Sequence, residues 1–433
     1  MSTLRYLIAL AVETGEEIRQ ADFVTAYLNA TLEEDETVYM NIPEGFKEWL
    51  VETKPETLRR ENIDNFLKGG NDDYIMKLKK SLYGLKQSAR SWYNTMASWL
   101  ENKGFQISEA DPCLFTNNGT ILFVWVDDII VIGPKKEELL NMLKRDFKIK
   151  DLGKAQHILG MKVTHKENGS IRLDQEHYIK ALLTKYNMED AKTFGTPMQS
   201  NIKLDKATEA EIEEFKKTGQ DYRAAIGCLN YLSQCTRPDI TYTVGILSQF
   251  LENPGLKHWQ AFKRCLRYLK GTQSLGLEYV KSEDFNLVGY TDSSWAENDL
   301  KQSTCGFTYF LGKNLISWRS KKISAVSLSS TEAEYRAYLS AAQEAKWIRK
   351  ILEDTHKPQE YAILFSDNQG AIKLASNPVF HSRTKHIDVH YNYIREAVKY
   401  KEIALEYIPT AEMTADIMTK ALDRVKHIKF SIN

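Results

Sequence analysis

The chain has 433 residues, more than one compact core holds, so two or three domains are expected. At 42% hydrophobic and 27% charged residues it can build a packed interior without disulfide or metal staples, which excludes the small stapled classes. Lys plus Arg (58) equals Asp plus Glu (58), so the formal net charge is zero and global charge singles out no partner.

In chain order, MSTLRYLIALAVETG spaces its leucines and alanines as an amphipathic helix does; Arg5 and Glu13 interrupt it and no small-residue cleavage site follows, so it is not a signal peptide. No run approaches the ~18 to 20 apolar residues of a membrane helix, and no membrane is expected among the partners. IRQADFVTAYLNATL sets Asp22 in an apolar strand, and YMNIPEGF, KSLYGLKQSARSWY (80–93) and DPCLF (111–115) follow. FVWVDDIIVIG (123–133) then places Asp127 and Asp128 in the middle of a strand-like apolar run. Neighbours on a strand point to opposite faces, so both acids reach one cleft only from a tight hairpin. A buried ionised pair would repel, and Mg²⁺, which prefers carboxylate oxygens, removes that conflict; a metal-free Asp-Asp turn is the other reading.

A first block, 1–165, thus mixes strands and helices and ends in LGMKV. The second, 166–285, is mostly helical after the polar stretch TFGTPMQSNIKLDKATEAEIEE, whose Gly195 and Pro197 read as a linker. Within it HWQAFKRCLRYLKGT puts Lys263, Arg264, Arg267 and Lys270 at helical spacing, with Trp259, Phe262, Leu266 and Leu269 on an apolar face. That basic helix suits a phosphate backbone, although an ordinary solvated face has the same pattern. The third block, 286–433, alternates strand-like and helix-like segments. In it Asp292 (VGYTDSSWAE) and Asp367 (AILFSDNQGAI) end strands, Glu334 (SSTEAEYRAYLSAA) opens a helix and Asp416 (EMTADIMTK) starts the last helix. HSRTKHIDVHY clusters His381, His386 and His390, but without an HExxH order or a cysteine pair zinc is not the favoured reading. The five cysteines, Cys113, Cys228, Cys235, Cys265 and Cys305, lack CxxC spacing and read as reduced thiols of a cytosolic or nuclear protein.

Taken together, QADFVTAYLNA, YMNIPEGF, KSLYGLKQSARSWY, FVWVDDIIVIG and DLGKAQHILGMKV resemble, in order, the reverse transcriptase of copia-type LTR retrotransposons. YRAAIGCLNYLSQCTRPDITYTVGILSQFLENP continues the resemblance through the middle block. QSTCGFTYFLGKNLISWRSKKISAVSLSSTEAEY and HSRTKHIDVHYNYIRE resemble the ribonuclease H of the same elements. Ala89, where the family usually has proline, and Trp125, where tyrosine is common, are mild departures.

The resemblance implies an α+β and α/β multidomain chain. A polymerase palm of an N-terminally truncated right hand, its fingers largely missing, would occupy 1–165; a helical thumb or connection, 166–285; and a ribonuclease H-like mixed sheet flanked by helices, 286–433. It implies an RNA-directed DNA polymerase (a nucleotidyltransferase) and a ribonuclease H (an endonuclease), both working by two-metal phosphoryl transfer with two Mg²⁺ or Mn²⁺ ions per site. Asp22, Asp127 and Asp128 would ligate metal at the first site, and Asp292, Glu334, Asp367 and Asp416 at the second, Glu334 being chosen over Glu332 from the order of residues in EYRA. Tyr27 would exclude a ribose 2′-hydroxyl, Gly84, Lys86 and Gln87 would contact template and nucleotide, and the four basic residues of the middle block would follow the nucleic-acid backbone. The implied partners are an RNA template, a DNA primer, RNA:DNA hybrid, dNTPs and other Pol and Gag products, in a cytoplasmic virus-like particle or the nucleus. The alternative is a truncated, polymerase-inactive nucleic-acid-binding relic retaining only ribonuclease H activity.

Overall fold

The computed structural model describes residues 1–32, 36–53, 63, 66–69, 74–200, 202, 204–295, 303–323, 327, 329–376 and 388–432, the last without the side chains of 388–391 and 432. The strands up to residue 154 are β1 (Arg19–Phe23), β2 (Tyr39–Asn41), β3 (Ile75–Lys77), β4 (Gln106–Ile107), β5 (Leu114–Asn117), β6 (Thr120–Trp125), β7 (Asp128–Ile132) and β8 (Ile149–Lys154). Six of them form one sheet in the order β4-β5-β6-β7-β1-β8, antiparallel at every junction, and β2 pairs with β3 apart from it.

This sheet is covered on both faces, which explains the unbroken apolar run around the paired aspartates. Leu122, Val124, Ile129 and Val131 pack with Trp92 and Met96 of the helix Ser88–Glu101 and with Leu139, Leu140 and Leu143 of the helix Lys136–Asp146. Their strand neighbours Ile121, Phe123, Ile130 and Ile132 point the other way, into a core shared with the N-terminal helix Ser2–Thr14. A strand with two buried faces has no polar alternation to display.

Next come β9 (His157–Ile158), β10 (Met161–His165), β11 (Ile171–Asp174) and β12 (Leu277–Tyr279), joined as the antiparallel sheet β12-β11-β10-β9. This sheet crosses the expected division at 165/166, which falls in the connection between β10 and β11, and β12 returns to pair with β11 after all the intervening helices. Those helices, chiefly Glu176–Lys185, Tyr222–Cys235 and Leu256–Gly271, share a core of Leu, Ile and aromatic side chains.

The third block carries β13 (Leu287–Ser294), β14 (Thr304–Leu311), β15 (Asn314–Lys322), β16 (Ala362–Ser366) and β17 (Ile403–Tyr407) in the order β15-β14-β13-β16-β17. The β13–β14 and β14–β15 pairs are antiparallel, and the β13–β16 and β16–β17 pairs are parallel. Parallel neighbours need crossover connections; the 25-residue helix Ser330–Asp354 precedes β16, and the helices Gln369–Ser376 and Asp388–Lys399 lie between β16 and β17. This is the mixed sheet flanked by helices expected here, and with the antiparallel first sheet it makes the chain an α+β and α/β multidomain protein.

Three expectations change. The N-terminal helix is buried from Thr3 to Val12 on all sides rather than amphipathic, because the third block covers the side that an isolated palm would leave wet. Arg5 donates to the carbonyls of Ile316 (2.7 Å) and Gln234 (2.7 Å) and lies 3.7 Å over the Trp318 ring. Within the stretch read as a linker, Thr196, Pro197 and Met198 are buried, and a Cβ on Gly195 would come within 2.9 Å of Arg424 Nε. Asp416 begins a one-turn helix, Asp416–Thr419, and a separate helix, Arg424–Ile432, ends the described chain. Among the described residues no helix is long and apolar enough to cross a membrane.

Candidate functional sites

At the first acidic set, Trp125 pairs with Asp128, leaving Val126 and Asp127 as a two-residue hairpin turn. Val126 has φ +57°, and Asp127 is absent from the positive-φ residues. That pattern is the one a type II′ turn asks for, with valine where glycine is usual, so neighbouring contacts must hold it. Trp92 Nε1 donates to the Val126 carbonyl (2.9 Å), and Phe23 N donates to the Asp127 carbonyl (2.8 Å). Across the sheet Asp22 pairs with Asp128, so their side chains share a face, with Asp127 at the tip beside them. Burial, then repulsion from Asp127, raises the Asp22 carboxyl, opposed by Lys150. Burial, then repulsion from Asp22, raises Asp128, opposed by a hydrogen bond with Gln20. The mutual repulsion is what a cation would relieve.

Tyr83, a residue the motif reading did not single out, donates to both Asp127 oxygens (3.2 Å each), and its ring lies 4.6 Å from that of Tyr27. Gly84 beside it has φ +97°, a backbone conformation that glycine adopts without strain, while Lys86 is exposed and Gln87 precedes the helix Ser88–Glu101.

The second set converges more tightly. Asp292 and Glu334 are buried and Asp367 half-buried, and one ligand oxygen from each lies within 4.8 Å of the others. Among the described residues this is the one group of three such side chains that meets so closely. Asp292 sits near the end of β13, and Asp367 follows β16 directly. Ser329 caps the helix Ser330–Asp354 through the Glu332 N–H (3.1 Å), which sets the register that turns Glu334 toward the sheet. Glu332, on another side of the helix, pairs with Arg336 (2.9 Å). Ser293 N donates to Glu334 Oε1 (3.2 Å), and Thr410 Oγ1 donates to Asp367 Oδ2 (2.7 Å).

Glu334 Oε2, by contrast, is buried with no hydrogen-bond partner. An orphaned carboxylate oxygen aimed among two other carboxylates fits a hard divalent cation, which such oxygens bind. Burial, then repulsion from Asp292 and Asp367, pushes Glu334 well above the usual carboxylate range. Burial likewise pushes Asp292 up, to about 6, opposed by Lys420 and helped by Asp416.

Asp416 is set apart from the other three. It is fully buried, Lys420 Nζ lies 2.7 Å from its Oδ1, and Lys426 donates to its Oδ2. Lys420 Nζ also lies 3.4 Å from Asp292 Oδ2, an oxygen that accepts from Thr419 Oγ1 as well. Lys420 stands one helical turn after Asp416 in ADIMTK, and that spacing was the available signal for it.

The basic helix spends most of its charge inside the chain. Arg264 and Arg267 lie 4.1 and 4.0 Å over the Phe194 ring, Arg264 donates to Thr196 Oγ1 (3.0 Å), Arg267 to the Lys192 carbonyl (2.5 Å) and Lys270 to the Ala191 carbonyl (2.9 Å). Lys263 is half-buried on the same helix. These contacts clamp the 191–196 stretch, so phosphate contact is not what holds the three side chains here. His381 and His386 and the side chain of His390 lie outside the described residues.

Residues 1–200 match the family model described as reverse transcriptase (RNA-dependent DNA polymerase). Over 98% of its length the chain is 37% identical to the retrovirus-related Pol polyprotein from transposon TNT 1-94 of Nicotiana tabacum. It is 31% identical to the putative transposon Ty5-1 protein of Saccharomyces cerevisiae, over 72% of this chain and 96% of that protein. The chain belongs to the copia-type retrotransposon Pol family. It spans 31% of the length of the TNT 1-94 polyprotein. A foamy viral protease-reverse transcriptase solved in complex with RNA/DNA hybrid aligns with 91% of this chain and 44% of that one, at 12% identity and a TM-score of 0.47.

Proposed function

We propose that the chain is the RNA-directed DNA polymerase and ribonuclease H segment of a copia-type Pol polyprotein, acting on an RNA template, a DNA primer with dNTPs, and the RNA:DNA hybrid that results. The observation that carries the ribonuclease reading is the convergence of Asp292, Glu334 and Asp367 around the unpartnered Glu334 Oε2. These three side chains would hold a divalent cation, Mg²⁺ or Mn²⁺, which when bound supplies charge neutralisation and an activated water or hydroxyl. The chain's own work is positional. Ser293 and Thr410 hold one oxygen each of Glu334 and Asp367, so the ligands are pre-aimed and little reorganisation is needed when the anionic phosphodiester arrives.

For polymerisation, Asp22 and Asp128 on paired strands and Asp127 at the turn would serve in the same way. The Val126 and Asp127 carbonyls tied to Trp92 and Phe23 keep that tip fixed. Membership of the reverse transcriptase family supports this reading. Tyr27 would stand against a ribose 2′-hydroxyl, and Gly84, Lys86 and Gln87 would meet template and nucleotide.

Incubated with Mg²⁺ and a hybrid labelled on its RNA, the chain is expected to cut the RNA, and Asp292→Asn to abolish cutting. A folded wild-type chain that leaves the RNA intact refutes the ribonuclease reading. Primer extension on poly(rA) with oligo(dT) tests the polymerase: extension is expected, and Asp127→Asn removes it. Extension undiminished in that variant refutes the assignment of the first site.

A further inference from the structure

The fourth carboxylate of the ribonuclease site is occupied by lysines. Asp416 is fully buried, and both of its oxygens face ammonium groups, Lys420 Nζ at Oδ1 and Lys426 Nζ at Oδ2. Lys420 bridges onward to Asp292 Oδ2 at 3.4 Å, so a fixed positive charge already sits between the two aspartates. The approach is built into the fold. Asp292 pairs with Gly306 on β14, and a Cβ on Gly306 would lie 2.4 Å from Met418 Cβ, so only glycine lets the turn carrying Asp416, Thr419 and Lys420 close onto the sheet. Thr419 then donates to the same Asp292 oxygen that Lys420 faces. Four carboxylates and two ammonium groups leave a formal charge of −2, which one divalent ion neutralises and two would overshoot.

We propose that Lys420 is the resident second cation of this site. The free chain takes one divalent ion at Asp292, Glu334 and Asp367, and Asp416 is the counter-ion that positions Lys420 rather than a ligand of a second ion. The proposal rests on the metal-dependent hydrolysis read above, but concerns how many ions the free protein holds. Lys420 is a positioning residue in this scheme: it offsets the charge on Asp292 and orients the oxygen left free for the metal.

Titration of the intact chain with Mn²⁺ by calorimetry, without nucleic acid, tests it. Lys420→Gln vacates the position beside Asp292 and Asp416 and raises the stoichiometry by one ion per chain, whereas Lys420→Arg, which keeps the cation, retains the wild-type number. Asp416→Asn also retains it, which keeps the test decisive should Lys420→Gln fold poorly. An unchanged stoichiometry in folded Lys420→Gln, or the loss of an ion in Asp416→Asn, overturns the proposal. Mn²⁺ uptake untouched by Asp292→Asn would instead overturn the underlying metal-site reading. Ions held at the Asp22 site are common to all these variants and cancel in the comparison.

Discussion

Glu334 enters its cluster from the second turn of a helix, and its Oε2 finds no donor there. A buried carboxyl among like charges destabilises the fold unless it keeps its proton or meets a cation. Because its carboxyl is raised well above the ordinary range, the folded chain holds that proton more tightly than the unfolded chain, and the cost grows as pH rises past the ordinary glutamate value. Glu334→Gln is therefore expected to stabilise the chain in EDTA at pH 7 by about 1–3 kcal/mol while abolishing hybrid cleavage. Thermal unfolding checks the first half; a variant that melts below wild type contradicts it. Glu332, two residues away, differs in nothing that composition shows. Helix register alone sends it to Arg336 and sends Glu334 to the aspartates.

At the scale of elements, the one-turn helix Asp416–Thr419 depends on a glycine in a strand far from it in sequence. Gly306→Ala inserts a methyl against Met418 and Thr419, in a region where overpacking costs about 1–3 kcal/mol. The turn should move off β14 and hybrid cleavage should fall, with primer extension unchanged; equal loss of both activities would indicate general unfolding instead. The N-terminal helix makes a comparable case. Burial lowers the Arg5 guanidinium to about 10, still charged at neutral pH, and it is held by main-chain carbonyls and the Trp318 ring. Arg5→Ala leaves those carbonyls unpaired and is expected to cost about 3–5 kcal/mol in urea denaturation. Arg5→Lys should recover little of it, lacking the planar fork and the stacking. The leucine spacing of MSTLRYLIALAVETG was enough to expect a helix, but not to show that Arg5 would be enclosed, because the enclosing groups are Ile316, Gln234 and Trp318.

Across the whole molecule, polar contacts stitch the three blocks together. Trp347 Nε1 donates to the Ala110 carbonyl (2.9 Å), Ser108 Oγ to Asp354 (2.6 Å), and Trp318 Nε1 to the Ser233 carbonyl (2.9 Å). A second tie is buried between the middle block and the chain's end. Arg237 makes a two-point pair with Asp239 (2.9 and 2.7 Å), Tyr268 donates to Asp239 (2.6 Å), and His427 Nε2 lies 3.1 Å from the Tyr268 hydroxyl. Burial lowers the His427 imidazole, with Asp239 opposing and Arg237 adding to the shift. The unfolded chain therefore takes up a proton near the ordinary histidine value of about 6.5 that the folded chain refuses. Its contribution is full above that pH and is lost as pH falls below it. Chemical denaturation at pH 7.5 and 5.5 should show a smaller drop for His427→Gln than for wild type, and equal drops would remove His427 as a cause. Asp239→Asn, which leaves the Arg237 charge buried and unpaired, should cost about 3–5 kcal/mol at either pH.

Some of this was settled by residue order alone. The paired aspartates reach one cleft only from a hairpin, since neighbours on a strand face opposite ways, and the turn at Val126 and Asp127 is that hairpin; that the flanking strands are covered on both faces came only with the packing. Such periodicities are properties of a few adjacent residues, as are the motifs that mark the family. What long charged side chains do was decided only by tertiary structure. The lysines took Asp416, Phe194 and nearby carbonyls drew in Arg264, Arg267 and Lys270, and three carboxylates were left to face one another. Each of those groups can reach several partners from its own element. The choice falls to whichever surface the packed core brings within a few ångströms, and that surface comes from a distant part of the chain.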